Sequence, residues 1–162
     1  MDNQRITFRE LRRAVGLPPE ECARFLALSG TEEIEELDSC SHPRLEEFHA
    51  KLAKLDAKIE AAVLNEVDLY TQRAERDTVL IRFLTDDDLA LYEPDLFEAF
   101  GTAVVHGALI SRVKKAIGRL GGEAEVAFMD SAFYEAWLGV NDFDDSRDLR
   151  IAWACQQMRG LS

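Results

Sequence analysis

Cysteine, proline and tryptophan are scarce in this sequence, and acidic residues outnumber basic ones. The three cysteines, Cys22, Cys40 and Cys155, are widely spaced and odd in number, which is typical of a reducing compartment and argues against a disulfide framework. Lysine and arginine total 19 against 31 aspartates and glutamates, so the net charge is −12. This acidity argues against generic nucleic-acid binding, although one face could still be basic.

Long apolar runs are absent as well. The apolar stretches are too short for a membrane span, and Met1 to Gln4 leads into no hydrophobic segment of the kind that a secretory signal needs. We therefore expect a cytoplasmic protein with no membrane partner. With 162 residues, of which 47% are hydrophobic, the chain can form one ordinary domain or two small ones around a sizeable core.

Three short helices are predicted within the first forty residues. Thr7 and Glu10 have the spacing of a capping box, Pro19 suits the first position of a second helix, and Thr31 can cap a third. A tight turn containing Gly30 joins the second helix to the third. This order is typical of a helix-turn-helix, but three short helices also form purely structural bundles.

A longer fourth helix is predicted to begin near Pro43. Its apolar residues follow alternating steps of three and four, namely Leu45, Phe48, Leu52, Leu55, Ile59 and Ala62, and the pattern resumes at Leu69 after a break at Glu66. Such a seam can pack against another helix of the same chain or against its copy in a second chain. The polar stretch from Tyr70 to Thr78 is the candidate boundary between a helix-turn-helix domain over residues 1–72 and an α/β domain over residues 79–162.

Beyond this boundary the period of the apolar pattern changes. Val79 to Leu84 and Glu123 to Met129 are predicted strands, and Thr102 to Leu120 is a predicted helix between them. Asp130 and Ser146 are expected to cap two terminal helices. Because two parallel strands leave open edges, we expect further strands from a second subunit. The predicted fold class is α+β and mostly helical, with a helix-turn-helix bundle, a long connecting helix and a small C-terminal βαβ region.

Catalytic and metal-binding signatures are weak throughout. Cys40 and His42 are close in sequence, but a Cys-His pair also needs an orienting third group. The aspartates at 86–88 and 142–148 lack the order of a calcium loop and precede predicted helices, where acids stabilise the first turn. His106 is expected to be partly buried and hydrogen-bonded. We therefore predict no enzyme, no metal and no cofactor.

Three segments carry a family resemblance. Two of them resemble the helix-turn-helix region of the YdiL-like proteins: LRRAVGLPPEECARFLALSG and LDSCSHPRLEEFHAKLAKLDAKIEAAV. This family includes the anti-CRISPR-associated (Aca-type) transcriptional repressors. VLIRFLTDDDLALYEP is similar to the start of their α/β dimerisation region. The resemblance covers most of the chain from Phe8 to about Leu120. It implies a homodimeric repressor that binds a palindromic DNA operator.

The resemblance also implies two sets of site residues. The DNA-binding set is Arg9, Arg12, Arg13, Thr31, Glu32, Glu35, Ser39, Ser41, Arg44 and Lys51. The dimerisation set is Leu55, Ile59, Val79, Ile81, Phe83, Val105, Leu109 and Val113. The basic members of the first set, together with Arg5 and Lys54, either grip phosphates or form a solvated face, and the sequence leaves both interpretations open.

The third helix departs from the family pattern. Members of the family carry basic, amide and aromatic side chains there, whereas this chain has TEEIEELD, and Cys40 stands where the family has a glycine. Between Glu20 and Glu47, nine acids against two bases give a local net charge of −7. Glutamate can accept a hydrogen bond from cytosine, but it cannot pair with guanine or adenine as Arg, Asn or Gln can.

This departure supports an alternative hypothesis, in which the scaffold has lost DNA reading. The acidic third helix would then bind a basic protein, either as a DNA mimic or as an inhibitory subunit. A third and weaker hypothesis is a small-molecule sensor near His106, Phe128 and Trp137.

Overall fold

The computed structural model describes residues 6–72 and 77–160, and these contain nine helices and two strands. The helices are α1 (Phe8–Ala14), α2 (Pro19–Leu26), α3 (Thr31–Asp38), α4 (Leu45–Thr71), α5 (Asp86–Tyr92), α6 (Pro94–Phe100), α7 (Ala103–Arg119), α8 (Ser131–Asn141) and α9 (Arg147–Gly160). The strands are β1 (Asp77–Arg82) and β2 (Glu123–Phe128). The predicted α+β, mostly helical fold class is confirmed.

Local capping sets the start of the first helices. The Thr7 hydroxyl accepts from the Glu10 amide at 3.2 Å while the Glu10 carboxylate accepts from the Thr7 amide at 2.8 Å, which completes the predicted capping box. Pro19 opens α2. The short turn that joins α2 to α3 contains Gly30, as predicted, but its left-handed residue is Ala27, with φ of 55°, while Gly30 is extended, with φ of −175°.

The C-terminal end of α3 is closed by a Schellman motif. The Cys40 amide donates to the Leu37 carbonyl at 3.1 Å, and the Ser41 amide donates to the Glu36 carbonyl at 2.9 Å. This places Cys40 in the left-handed region, with φ of 61°. Glycine adopts this conformation without the steric cost that a Cβ imposes.

Replacing this residue tests the strain directly. Cys40→Gly is expected to raise the free energy of unfolding by about 0.5 to 1 kcal/mol, because relief of left-handed strain exceeds the added entropy of the unfolded chain. Urea denaturation under reducing conditions measures the change. Ser39→Gly is the matched control and is expected to give no gain, because Ser39 has φ of −92°. A Cys40→Gly variant no more stable than wild type would contradict the expectation.

The long helix α4 packs within its own chain. Its buried residues are Phe48, Leu52, Leu55, Ile59 and Val63, and it contacts α1, α6 and α7. The buried side continues to Val63 after Ile59, whereas Leu69 of the predicted seam is 38% exposed. The cause is the 3.6-residue turn of a straight helix, which drifts away from a strict heptad pattern.

A single hydrophobic cluster crosses the predicted domain boundary. It combines buried residues of α1 to α4 with others from α6, α7 and β2. The segments 1–72 and 79–162 are therefore two contributors to one core. Residues 73–76 of the predicted boundary lie outside the described residues, as do residues 1–5, including Arg5, and residues 161–162.

Strands β1 and β2 form a two-stranded parallel sheet in which Leu80 lies opposite Val126 and Ile81 opposite Ala127. The chain crosses from β1 to β2 through α5, α6 and α7. Side chains alternate between the two faces, so Leu80 joins the cluster that includes α7 while Ile81 joins a second cluster that includes α9. Helices thus cover both faces of the sheet. Pairing with strands of a second subunit stays a prediction.

No single helix within residues 6–72 and 77–160 is both long and apolar enough to cross a membrane. Helices α6 and α7 meet the length and composition criteria only when taken together, and they are bent by 101°.

His106 on α7 is only 2% exposed. The side chain is fully buried where partial burial was expected, and its Nδ1 has no hydrogen-bond partner among the described residues. Burial, together with the positive charge of Arg82, lowers the pKa of His106 to about 4 from an ordinary value of 6.5. The imidazole is therefore neutral at pH 7.

This shift predicts a pH-dependent stability. As the pH falls below 6.5, the unfolded chain protonates His106 while the folded protein does not until about pH 4, so the free energy of unfolding decreases across this range. Between pH 7 and pH 4.5 the wild type is expected to lose about 2 to 3 kcal/mol more than His106→Gln. Urea unfolding at both pH values measures the loss. Equal losses in the two proteins would contradict the assignment.

Candidate functional site

Helix α3 exposes an acidic face. Ile34 and Leu37 are buried in the core, whereas Glu32, Glu35 and Glu36 are exposed, and α3 carries no basic residue. The helical period separates the two sets, because apolar residues three apart share one side of the helix. We call Glu32, Glu35 and Glu36 the acidic face. Its side chains are accessible to an external partner.

Glu33 has a local role at the start of the same helix. Its carboxylate accepts from the Ser29 amide at 2.9 Å and from the Ser29 hydroxyl, and it lies 3.5 Å from Nε2 of His42. The hydrogen bonds from Ser29 are the main cause that lowers the pKa of Glu33, with His42 adding to the shift. Glu33 therefore holds the turn before α3 and is engaged within the chain.

The neutral members of the predicted DNA-binding set lie at the two ends of α3. Thr31 is half-buried at the first position. The exposed hydroxyls of Ser39 and Ser41 donate to the Glu36 carbonyl at 3.1 and 3.2 Å, respectively. Both hydroxyls thus satisfy the carbonyl end of the helix, where backbone acceptors otherwise lack partners.

Arg12 is a structural residue, which corrects its assignment to the DNA-binding set. It is 6% exposed, and its Nη2 lies 2.7 Å from the Asp38 carboxylate while its Nη1 donates to the Leu17 carbonyl at 2.9 Å. Arg9 also reaches the Asp38 carboxylate, at 3.3 Å. The Asp38 carboxylate therefore ties the end of α3 to α1, and the Arg12 guanidinium has no surface to offer to a phosphate.

Adjacent arginines on α1 give a matched test of this role. Arg12→Ala is expected to lower the free energy of unfolding by about 3 kcal/mol, because it leaves Asp38 without its buried partner. Arg13→Ala, at an exposed position, is expected to change it by less than about 0.5 kcal/mol. Chemical denaturation of both variants makes the comparison. Equal effects would show that the Arg12–Asp38 pair has no structural role.

Arg44 and Lys51 share one carboxylate. Arg44 donates to Glu47 through Nε and Nη2, both at 2.8 Å, and the Lys51 Nζ lies 3.1 Å from Glu47. Hydrogen bonds from these two cations lower the pKa of Glu47 to about 2. Both cations also lie over the ring of Phe48, at 4.7 and 5.1 Å from its centroid. The group is exposed and keeps one net positive charge.

Six of the eight residues of the predicted dimerisation set are buried inside the protomer, which corrects their assignment. The residues buried in the two hydrophobic clusters are Leu55, Ile59, Phe83, Val105, Leu109 and Val113. The half-buried Val79 and Ile81 pack against the second cluster. Side chains buried within one chain offer no area to a partner. The steps of three and four along α4 are satisfied by α1 and α7, and such spacing does not distinguish an internal helix from a second copy.

The residues of the sensor hypothesis are not brought around one cavity. A small cavity of about 60 Å³ beside His106 is lined by neither Phe128 nor Trp137. Phe128 lies over the Arg82 guanidinium, and Trp137 stacks with Tyr134.

The aspartate runs are used in helix capping and ion pairs. Asp86 accepts from the Ala103 amide at 2.7 Å, and Asp145 accepts from the Tyr134 hydroxyl at 2.7 Å and from Arg150 at 2.5 Å. Across the part of the chain that the structure describes, no group of three or more His, Cys, Asp or Glu residues could hold a metal ion.

A cleft between α1, β1 and α7 brings together four basic residues that sequence patterns do not group: Arg13, Arg82, Arg112 and Lys115. They are far apart along the chain, and only the i,i+3 spacing of Arg112 and Lys115 on α7 signals a shared face. The helix crossing that forms the cleft is a tertiary feature.

No family model matches this chain, and no curated protein matches it either.

Proposed function

We propose that the protein is an acidic interaction module, built on a helix-turn-helix scaffold, whose third helix binds a basic protein partner. The acidic face carries this proposal, since Glu32, Glu35 and Glu36 are exposed together within about one turn of a helix that has no base. A cluster of like charges without local counterions is best stabilised by a surface of the opposite sign.

Electrostatics favour a basic protein over DNA at this face. A carboxylate about 7 Å from a phosphate is repelled by roughly 0.6 kcal/mol in a water-like dielectric, so three of them cost about 2 kcal/mol. When the same three carboxylates face lysines or arginines of a partner protein, the interaction is attractive by a similar free energy. The attraction also accelerates association. The side chains that read guanine and adenine are missing from α3 as well.

The cations around α3 support the same conclusion. Arg12 is buried on Asp38, Arg9 shares that carboxylate, and Arg44 and Lys51 share Glu47. A phosphate that recruited these cations would have to compete with carboxylates already in place. The partner that fits is a basic nucleic-acid-binding protein, for which α3 substitutes for the DNA backbone.

A DNA-binding homodimeric repressor is the second candidate. It is favoured by the packing of α3 on both α1 and α2, in helix-turn-helix order, and by the exposure of Arg13, Arg44 and Lys51. The family resemblance supports the same function. A salt-sensitive gel shift of the protein's own upstream DNA, weakened by Arg44→Ala or Lys51→Ala, would favour this candidate over the first.

Charge-neutral variants test the acidic face. A triple variant with Glu32→Gln, Glu35→Gln and Glu36→Gln is expected to bind an oligoarginine peptide about thirtyfold more weakly than wild type at low salt, since about 2 kcal/mol of attraction is lost. Fluorescence anisotropy of the labelled peptide measures the affinity. The matched control changes the exposed Glu98, Glu123 and Glu125 to Gln, which alters the net charge equally and is expected to weaken binding far less.

Two results would contradict the interaction module. Equal peptide affinities for the triple variant and the control would show that only the net charge matters. Tight, sequence-selective binding of wild type to operator DNA, with the triple variant unchanged, would show that α3 tolerates phosphates and would support the repressor.

A further inference from the structure

The basic cleft is the second charged feature of this acidic chain. It is open, has a volume of about 380 Å³, and lies between the end of α1, the end of β1 and one side of α7. It is lined by Arg13, Arg82, Arg112 and Lys115 together with Ser111 and small or apolar residues, and none of the described acidic residues contributes to its wall. Its volume is within the range of about 300 to 1,000 Å³ that small-ligand sites occupy.

Three of the four cations are uncompensated. Arg112 is neutralised by Asp56, at 2.6 Å, and by Glu60, and it donates to the Ala14 carbonyl at 2.6 Å. Arg13, Arg82 and Lys115 form no ion pair with any described residue. Counting Asp56 and Glu60 beside Arg112, the four cations keep a net charge of +2 although the whole chain carries a net charge of −12, so the cleft favours an anion.

Arg82 is held in place with an unused donor. Its Nε is buried and has no hydrogen-bond partner among the described residues, and its guanidinium lies 5.7 Å from the centroid of the Phe128 ring. A Cβ at Gly107 would lie 2.9 Å from both Nε and Nη2 of Arg82. Glycine at position 107 therefore lets the guanidinium lie against α7, where its donors border the cleft.

A second glycine brings the two walls together. Gly16 follows α1 with φ of 79°, and a Cβ there would lie 2.8 Å from the Ala108 Cβ. This close approach places the end of α1, with Arg13, against α7 and thereby sets the width of the cleft.

We propose that the cleft binds a phosphate-type oxyanion, carried by a small phosphorylated ligand. Arg82 supplies a planar guanidinium suited to phosphate oxygens, and Arg13 and Lys115 add exposed positive charge at the opening. None of these three residues belongs to the acidic face. The site is therefore independent of what α3 binds.

Titration with inorganic phosphate and with pyrophosphate tests the site. Isothermal titration calorimetry at constant ionic strength, held with sodium chloride, is expected to show saturable binding to wild type. Arg13→Gln and Lys115→Gln are each expected to weaken binding about fivefold, the effect of one exposed charge near an anion. Arg82→Gln and Gly107→Ala are expected to weaken it more, because they remove or displace the guanidinium.

Two variants serve as matched controls. Arg24→Gln and Arg159→Gln each remove one exposed positive charge outside the cleft and are expected to leave phosphate affinity unchanged. Because Arg13 and Lys115 are exposed, their variants keep the test valid even if the Arg82 or Gly107 variants fail to fold.

A competition arm identifies the source of the phosphate. Duplex DNA that fails to displace pyrophosphate supports a small phosphorylated ligand. The small-ligand assignment is overturned if the protein binds neither phosphate nor pyrophosphate but binds DNA through Arg13 and Lys115. The cleft would then bind a nucleic-acid backbone. Equal phosphate affinities in the cleft and control variants overturn the site altogether. The acidic-face triple variant is expected to keep phosphate affinity, so failure of this site and failure of the proposed function are distinguishable.

Discussion

The ion pair between Arg12 and Asp38 determines where the acidic face lies. Arg12 projects from α1 into the interior, and its two terminal nitrogens reach the last residue of α3 and the carbonyl of Leu17. A buried pair of this kind adds little net stability compared with apolar packing, but it disfavours every arrangement in which either charge is left alone. The position of α3 on α1, and with it the orientation of the three exposed glutamates, depends on this contact.

Helix α1 also links the two charged surfaces. One of its neighbouring arginines, Arg12, stabilises the helix that carries the acidic face, while the next, Arg13, lines the basic cleft. Helix α4 provides a second link, since its carboxylates Asp56 and Glu60 hold Arg112 at the wall of that cleft. Three exposed carboxylates share one side of α3, and three cations without an ion pair among the described residues line one cleft, on a scaffold whose first hydrophobic cluster joins α1 to α4 with α6, α7 and β2. This separation makes surfaces for oppositely charged ligands compatible in one small chain.

Several local structures were predictable because their causes lie within a few residues. The structure confirms four features that short-range patterns predicted: the Thr7–Glu10 capping box, the proline start of α2, the aspartate cap of α8 and the parallel strand pair. The turn between α2 and α3 contains Gly30 as predicted, but its left-handed residue is Ala27, where the Ala27 and Leu28 amides close the end of α2 on the Arg24 and Ala23 carbonyls.

The sequence by itself determined which residues are apolar, where several helices begin, and that α3 is acidic, since periodicity and capping act over one or two turns. Only the tertiary structure decided which segment of the chain covers each apolar side and which charged side chains stay exposed. The apolar side of α4 faces α1 and α7 of its own chain. On α1, Arg12 is buried while the adjacent Arg13 is exposed. Arg82 and Lys115, although far apart in sequence, line the same cleft. Periodicity identifies the side of a helix that is buried, but it carries no information about which distant segment covers that side, because long-range packing depends on the shape and charge of the whole chain.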